Sequence, residues 1–181
     1  MPAVRINGWH AWPAGSRVTG GVDGFLAIYL NDQLALGVGW RELARRAAGN
    51  NRGTAVGEAL DRVATEIAED VDTFRSIMDH LGVRQNPLKT AAVFGAERLA
   101  RFKPNGRLLG YSPLSRFLEL EVLTMGIDGK KQLWTTLRDL AGLADQVPGV
   151  DFDALIERAA GQRALLEPHR VQAGQEAFSG G

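Results

Sequence analysis

The sequence predicts an all-α protein. Its 181 residues are 45% hydrophobic, enough to bury the core of one domain and too few for two comfortable ones. Apolar side chains recur at helical spacing along the chain, and most of the periodic segments begin at a residue that can cap a helix. No segment has the alternating pattern, rich in Val, Ile and Thr, that is typical of a strand. One helical domain therefore accounts for the pattern.

The predicted domain covers residues 23–173. Residues 1–22 contain prolines and glycines without any periodicity, so we expect them to form a flexible arm. Residues 174–181 are expected to form a flexible tail. Inside the domain, the first two helices should stop at Gly49 and Gly82, because glycine readily ends a helix.

Capping residues and prolines place the individual helices. We expect long helices over 23–48, 54–81 and 113–141, a fourth from Asp151, and a short helix over about 88–102. The first two long helices form one short-loop hairpin and the last two form another. A connector of about 30 residues joins the hairpins and can run the length of a bundle. The sequence thus predicts a four-helix bundle with a long, helix-containing crossover between helices two and three.

The first helix carries two apolar stripes. The stripe predicted to face the core consists of Phe25, Tyr29, Leu36, Trp40 and Leu43. A second stripe, Leu26, Leu30 and Leu34, lies on much of the opposite side. Left exposed, these leucines would form an unusually large apolar patch. We therefore expect either the connector or a homodimer contact through Leu26, Leu30 and Leu34 to cover them.

The third helix changes its apolar face partway along. Gly126 and Gly129 lie at the changeover, where we expect the helix to bend. A cavity beside these two glycines would provide room for a small apolar ligand between the helices.

Two aspartates, Asp32 and Asp70, are the main candidates for a functional site. Asp32 lies 19 residues before Asn51, at the centre of the first turn, and Asp70 lies 19 residues after it, so the hairpin should bring them to one depth. A buried carboxylate needs a cation, a hydrogen-bond donor or a metal, because leaving it unpaired is costly. We expect Lys131 or Arg163, from helices three and four, to neutralise the pair.

Two further interpretations remain open. A divalent metal such as iron or manganese could instead be bound by four carboxylates: Asp32, Glu66, Asp70 and Asp128. In the second hairpin, Glu121 and His169 lie near one level, where an imidazole would titrate near neutral pH. An ordinary ion pair between Glu121 and Arg163 or Arg170 is the simpler interpretation.

Composition argues against several classes of function. Basic and acidic residues both number 21, so no net charge attracts nucleic acid or an anionic membrane. The absence of cysteine excludes thiolate chemistry and fits a reducing compartment. No apolar run reaches membrane-spanning length, and the N-terminal residues lack the apolar core of a signal peptide. We therefore expect a cytoplasmic protein with no nucleic-acid or membrane partner, and the excess of arginine over lysine suggests a GC-rich bacterial genome.

Three strings carry a resemblance to known proteins: FLAIYLNDQLALG at 25–37, KPNGRLLGYSPLSRFLELEVLTMGIDGK at 103–130, and LIERAAGQRALLEPHR at 155–170. They look like a family of uncharacterised helical bacterial proteins, some of them described as ferritin-like. The order of elements over 23–173 is also similar to the ferritin-like superfamily, whose bundles have one long crossover between helices two and three. The resemblance implies a ferritin-like four-helix bundle.

The chain departs from the metal-binding members of that superfamily. Those members place a Glu-x-x-His pair on helix two and another on helix four. Here Glu66, Glu69 and Asp70 have no histidine three residues later, and Glu167 and His169 lie only two residues apart. We therefore expect a bundle without metal or cofactor, in a structural or protein-association role rather than as an enzyme.

Overall fold

The computed structural model describes residues 24–87 and 111–179, and this part of the chain is helical without strands. The long helices are α1 (Gly24–Asn50), α2 (Ala55–His80), α3 (Pro113–Thr135) and α4 (Phe152–Phe178). The all-α prediction is confirmed for these residues. The predicted arm over 1–22 and the predicted short helix over about 88–102 lie outside them. No helix in the described part is both long and apolar enough to cross a membrane.

Three of the helices begin at capping side chains that the sequence identifies. Thr54 and Ser112 each accept a hydrogen bond from the backbone N–H three residues later, both at 3.1 Å. Asp151 caps α4 in the same way at 2.9 Å. Pro113 takes the first position of α3, where it has no hydrogen-bonded N–H to lose. These local contacts set where α2, α3 and α4 begin.

The helices pack as two antiparallel hairpins placed side by side. α1 contacts both α2 and α3, and α4 contacts the same two helices from the other side. Trp40 of α1 lies against Gly126 of α3, while Arg46, nearer the end of α1, bonds to Glu119, nearer the start of α3. α1 and α3 are therefore antiparallel.

The buried face of α1 is centred on the second stripe and not on the predicted core stripe, of which Leu43 is buried and Tyr29 and Trp40 are partly buried. Leu30 and Leu34 are 0% and 4% exposed, in an apolar cluster with side chains of α2 and α3, and Leu26 is partly buried against it. Phe25 and Leu36 of the predicted core stripe are instead exposed. The leucine stripe continues toward the turn through small buried residues, Ala44, Ala47 and Ala48. Small side chains let α1 approach α2 closely, so Leu30 and Leu34 form part of the core.

α4 is longer than the sequence predicts. Pro168 lies inside the helix, which continues to Phe178. The ring of Phe178 packs edge-on against Phe117 of α3 with centroids 5.3 Å apart, and Gly174 is buried against the same ring. This packing holds the last turns in place despite the backbone donor that proline lacks. Residues 174–178 therefore belong to the bundle rather than to a tail.

α3 is helical without interruption across Gly126 and Gly129. Its irregular part comes later, where Thr136–Leu140 form a π-helical turn. Such turns are rare and are often found near functional sites. Thr136 also lines the cavity described below.

The turn between α1 and α2 is tightly packed. Asn51 is 3% exposed, and its side-chain amide donates to the Ala47 carbonyl and to the Tyr111 hydroxyl, both at 2.8 Å. A Cβ added at Gly57 would lie 2.1 Å from the carbonyl oxygen of Asn51. Glycine is therefore required where the first turn of α2 meets this carbonyl.

Candidate functional site

Buried charges meet at the centre of the bundle around Asp70 of α2. Its side chain is 3% exposed, and its two oxygens accept hydrogen bonds from Lys130 Nζ on α3 and from Arg158 Nη2 on α4. The two cationic side chains are themselves only 12% and 16% exposed. Hydrogen bonds between ionised groups are the strong ones. Asp70 thus connects α2 to α3 and α4 at one level of the bundle.

Gln162 of α4 extends this cluster. It is 2% exposed, its side-chain oxygen accepts from Lys130, and its amide donates to Glu66 at 3.0 Å. Arg158 also donates to Glu69 at 2.9 Å, whereas its Nε is buried and has no hydrogen-bond partner among the described residues. We call Asp70, Lys130, Arg158 and Gln162 the ion cluster.

Two effects act in opposite directions on the ammonium group of Lys130. Burial disfavours the charged form and lowers the pKa of Lys130, whereas the neighbouring carboxylate of Asp70 raises it. Burial is the larger effect. The lysine therefore loses its proton more readily than an exposed lysine does.

A cavity of about 310 Å³ lies beside the ion cluster, lined by α1, α2 and α3. Its wall is mainly apolar and aromatic, and includes Tyr29, Leu34, Trp40, Val71, Phe74 and Trp134. Asp70 and Lys130 contribute the charged part of the wall. The exposed side chains of Leu36 and Met125 also line the cavity, which therefore opens to solvent between α1 and α3. A largely apolar pocket with a few convergent polar groups is typical of a ligand site.

Two glycines of α3 make room for this cavity. A Cβ at Gly126 would lie 2.6 Å from the Trp40 ring, so the indole can lie against the backbone of α3. At Gly129 a Cβ would meet no atom within 4 Å. Both glycines line the cavity, which lies where the sequence placed room for an apolar ligand.

Asp32 does not join Asp70, contrary to the prediction. Asp32 is exposed on α1, whereas Asp70 is buried. A Cβ at Gly37 would lie 3.4 Å from the Val71 side chain, so Asp70 is level with the middle of α1 and not with Asp32. The loop begins at Asn51 and is not centred on it, because α1 ends at Asn50 and α2 begins at Ala55, and this shifts the register of the hairpin.

The cations beside Asp70 come from the two predicted helices but are not the predicted residues. Lys131 is exposed, and Lys130 faces the core instead, because adjacent helical residues differ by about 100° in direction. Arg163 bonds to Asp128 at 3.3 Å and to Glu167. Arg158, more than one turn earlier on α4, takes the predicted role of Arg163.

The four predicted metal ligands are not brought together. Asp32 and Asp128 are exposed, Glu66 accepts from Gln162, and both oxygens of Asp70 are bonded to cations. In the part of the chain that the structure describes, no three His, Asp or Glu side chains are grouped so that they could hold a metal ion. The residues do not fit a carboxylate-bridged centre, because ammonium and guanidinium groups occupy the positions beside Asp70 that a metal would need.

Glu121 and His169 are separated as well. A carboxylate oxygen of Glu121 lies 3.6 Å from Arg170 Nη1, as in the simpler of the two interpretations. His169 instead lines a smaller cavity of about 180 Å³ near Thr54, at the start of α2. The two residues therefore form no joint site.

Three residues of the ion cluster, Lys130, Arg158 and Gln162, are not among those predicted from the sequence. A signal for two of them was present, because Arg158 and Gln162 are four residues apart on one face of α4. Glu66 and Asp70 have the same spacing on α2, and antiparallel packing matches Asp70 with Arg158 and Glu66 with Gln162. Because the two pairs have the same spacing and complementary hydrogen-bonding groups, both contacts could have been predicted from the sequence.

Comparison of the chain with protein-family models, with curated proteins and with solved structures finds no match. The ferritin-like resemblance stays a prediction. The function is therefore inferred from the geometry of the cavity and of the ion cluster.

Proposed function

We propose that this protein binds a small, largely apolar molecule in the cavity between α1 and α3. The observation that carries the proposal is the cavity itself, about 310 Å³ in volume, with aromatic walls and a buried ion pair at one side. Protein interiors hold few voids larger than a water molecule, and ligand pockets begin at about 300 Å³. An apolar void of about 150 Å³ holds benzene. The cavity therefore has room for a ligand with two fused aromatic rings.

We propose binding without metal, cofactor or reaction. The acidic side chains nearest the cavity accept hydrogen bonds from Lys130, Arg158 and Gln162, so they serve to hold the helices together. In this arrangement Asp70 keeps the lysine in position at the cavity wall. The role is that of a binding protein rather than an enzyme.

We further propose the ferritin-like arrangement with a long crossover between the second and third helices. Because α1 is antiparallel to both α2 and α3, those two helices run in the same direction. The last residues described after α2 and the first described before α3 then lie at opposite ends of the bundle. Support comes from Asn31, which accepts from the backbone of Asn86 at 2.6 Å, and from Asn51, which bonds to Tyr111 at the opposite end of α1.

Tryptophan indole signals in an ¹⁵N NMR titration with 2-naphthylmethanol test the binding proposal. Trp40 and Trp134 line the cavity, so their indole N–H resonances should shift as the probe binds. Gly129→Phe should block binding, because that position lines the cavity and has open space beside its Cα. Gly161→Phe is the matched control, on an exposed and equally open position of α4 away from the cavity. Unshifted indoles, or equal binding by both variants, would contradict the proposal.

A protein-association role is a second candidate, favoured by the exposed apolar side chains of α1 and α3. Ile28 is 54% exposed, Leu36 is 43% exposed and Met125 is 66% exposed. Leu36 and Met125 lie together at the mouth of the cavity, and Ile28 lies about two turns before Leu36 on α1. Contiguous exposed apolar side chains mark interaction surfaces. The form of association that we propose is a homodimer through this face. Sedimentation velocity should then show a dimer that Ile28→Glu converts to a monomer, and a monomeric wild type would dismiss this role.

A further inference from the structure

We infer that the molecule bound in the cavity carries a carboxylate, and that this carboxylate binds the ammonium group of Lys130. The inference rests on the proposed function and specifies the chemical class of its ligand. It follows from the hydrogen-bond donor that Lys130 leaves available and from the position of Lys130 at the cavity.

Among the most buried side chains of the cluster, two cations face one carboxylate. Asp70, at 3% exposed, faces the two cations Lys130 and Arg158, at 12% and 16%. The nearby carboxylates are closer to the surface, since Glu69 is 56% exposed and Glu66 is 21% exposed and paired with an exposed arginine. A charge in a poorly solvated place is strongly favoured when an opposite charge lies beside it. Glu66 and Glu69 offset the second cation from the edge of the cluster, so an anion would bind through a donor that the cluster leaves available and not through a surplus of charge.

The ammonium group of Lys130 has one N–H donor that the ion cluster does not use. A lysine ammonium carries three N–H donors. Asp70 and Gln162 take two of them, and no acceptor for the third is found in the described residues. Lys130 lies in the wall of the cavity. A carboxylate oxygen entering the cavity can therefore accept the third hydrogen bond without displacing either existing partner.

The rest of the cavity suits an apolar body attached to that carboxylate. The aromatic walls formed by Trp40, Phe74 and Trp134 favour flat rings. When the carboxylate binds Lys130, the apolar part of the ligand extends toward the opening between Leu36 and Met125. The ligand class is thus an aromatic or similarly compact apolar monocarboxylic acid.

Calorimetric titration of the full chain with three probes of equal ring size tests this inference. The probes are 2-naphthoate, neutral 2-naphthylmethanol and cationic 2-naphthylmethylamine. We expect 2-naphthoate to bind about tenfold more tightly than the alcohol, because a charged pair strengthens the hydrogen bond, and the amine to bind most weakly. Lys130→Met should remove the preference for 2-naphthoate. Lys131→Met, which removes an exposed charge next in sequence, should keep it.

Each outcome bears on one of the two proposals. Equal affinity of the wild type for 2-naphthoate and the alcohol would overturn this inference and leave the proposed function standing. Binding of none of the three probes would overturn both. Loss of the preference in Lys131→Met as well as in Lys130→Met would also overturn the inference, because the attraction would then come from surface charge. The comparison within the wild type requires no variant, so it stays decisive if Lys130→Met fails to fold.

Discussion

Replacing Asp70 by asparagine should destabilise the bundle strongly. The substitution keeps the shape of the side chain and removes the negative charge that Lys130 and Arg158 share. Removing one partner of a buried ion pair costs about 3–5 kcal/mol because the other charge is left buried. Arg158 retains Glu69, so we expect the lower end, ~3 kcal/mol in the free energy of unfolding. At ~2–4 °C per kcal/mol for a chain of this size, Tm should fall by about 6–12 °C.

Urea unfolding followed by far-ultraviolet circular dichroism measures this loss. Asp72→Asn is the matched control on the same helix, because Asp72 is 68% exposed and bonds to Arg75 at 3.1 Å. An exposed pair of this kind is worth about 0–1 kcal/mol. If Asp70→Asn lost no more stability than Asp72→Asn, the assignment of Asp70 as the buried centre of the cluster would be refuted.

The same two proteins also test the alternative metal site. Excess Mn²⁺ or Fe²⁺ should leave the melting temperatures of the wild type and of Asp70→Asn unchanged, because the groups around Asp70 are cations. A ligand that binds only the folded state raises stability by mass action. A rise in the wild type that is absent from Asp70→Asn would therefore contradict our interpretation of the ion cluster.

Three further predictions concern close packing and pH. Gly126→Ala should destabilise the fold by ~1–3 kcal/mol because its Cβ would lie 2.6 Å from an indole of α1, whereas Gly129→Ala, in open space on the same helix, should stabilise it by ~0.5–1 kcal/mol. Urea unfolding of both variants measures the difference, and equal effects would contradict the packing described. Gly57→Ala should lower Tm more than Gly126→Ala does, since its Cβ would lie 2.1 Å from a backbone carbonyl that cannot rotate away. Burial raises the pKa of Tyr111 from 10.0 to about 12, so the folded state holds this proton when the unfolded state has lost it, and stability should fall as pH rises through that window. Absorbance titration of tyrosinate should show a component near pH 12 that Tyr111→Phe lacks, and titration of Tyr111 near pH 10 would contradict the effect of partial burial and of Glu119 on this hydroxyl.

Local features of the sequence predicted the helices well. A cap such as Thr54, Ser112 or Asp151 acts over three residues, so its effect can be identified without knowing what the helix packs against. Asp70 lies on a helix with a single apolar stripe, which leaves one choice of buried face. For these positions the nearby sequence contains the necessary information.

Tertiary choices were not predictable in the same way. α1 has two apolar stripes, and the choice between them depends on how closely α1 approaches α2, which small residues such as Ala44 and Ala47 decide. The register of the hairpin depends on where the loop residues lie. The prediction centred the turn on Asn51, and this error paired Asp70 with Asp32 instead of with the middle of α1. On α3, one residue of helical rotation separated the predicted Lys131 from Lys130. Each of these outcomes depends on contacts between helices that no single segment specifies.

A crystal structure of the protein with 2-naphthoate would show both the cavity and the contact at its charged wall. We predict the two rings between α1 and α3 against Trp40 and Trp134, with a carboxylate oxygen within hydrogen-bonding distance of Lys130 Nζ. A cavity filled by its own side chains, or a probe that binds only elsewhere on the surface, would contradict the account.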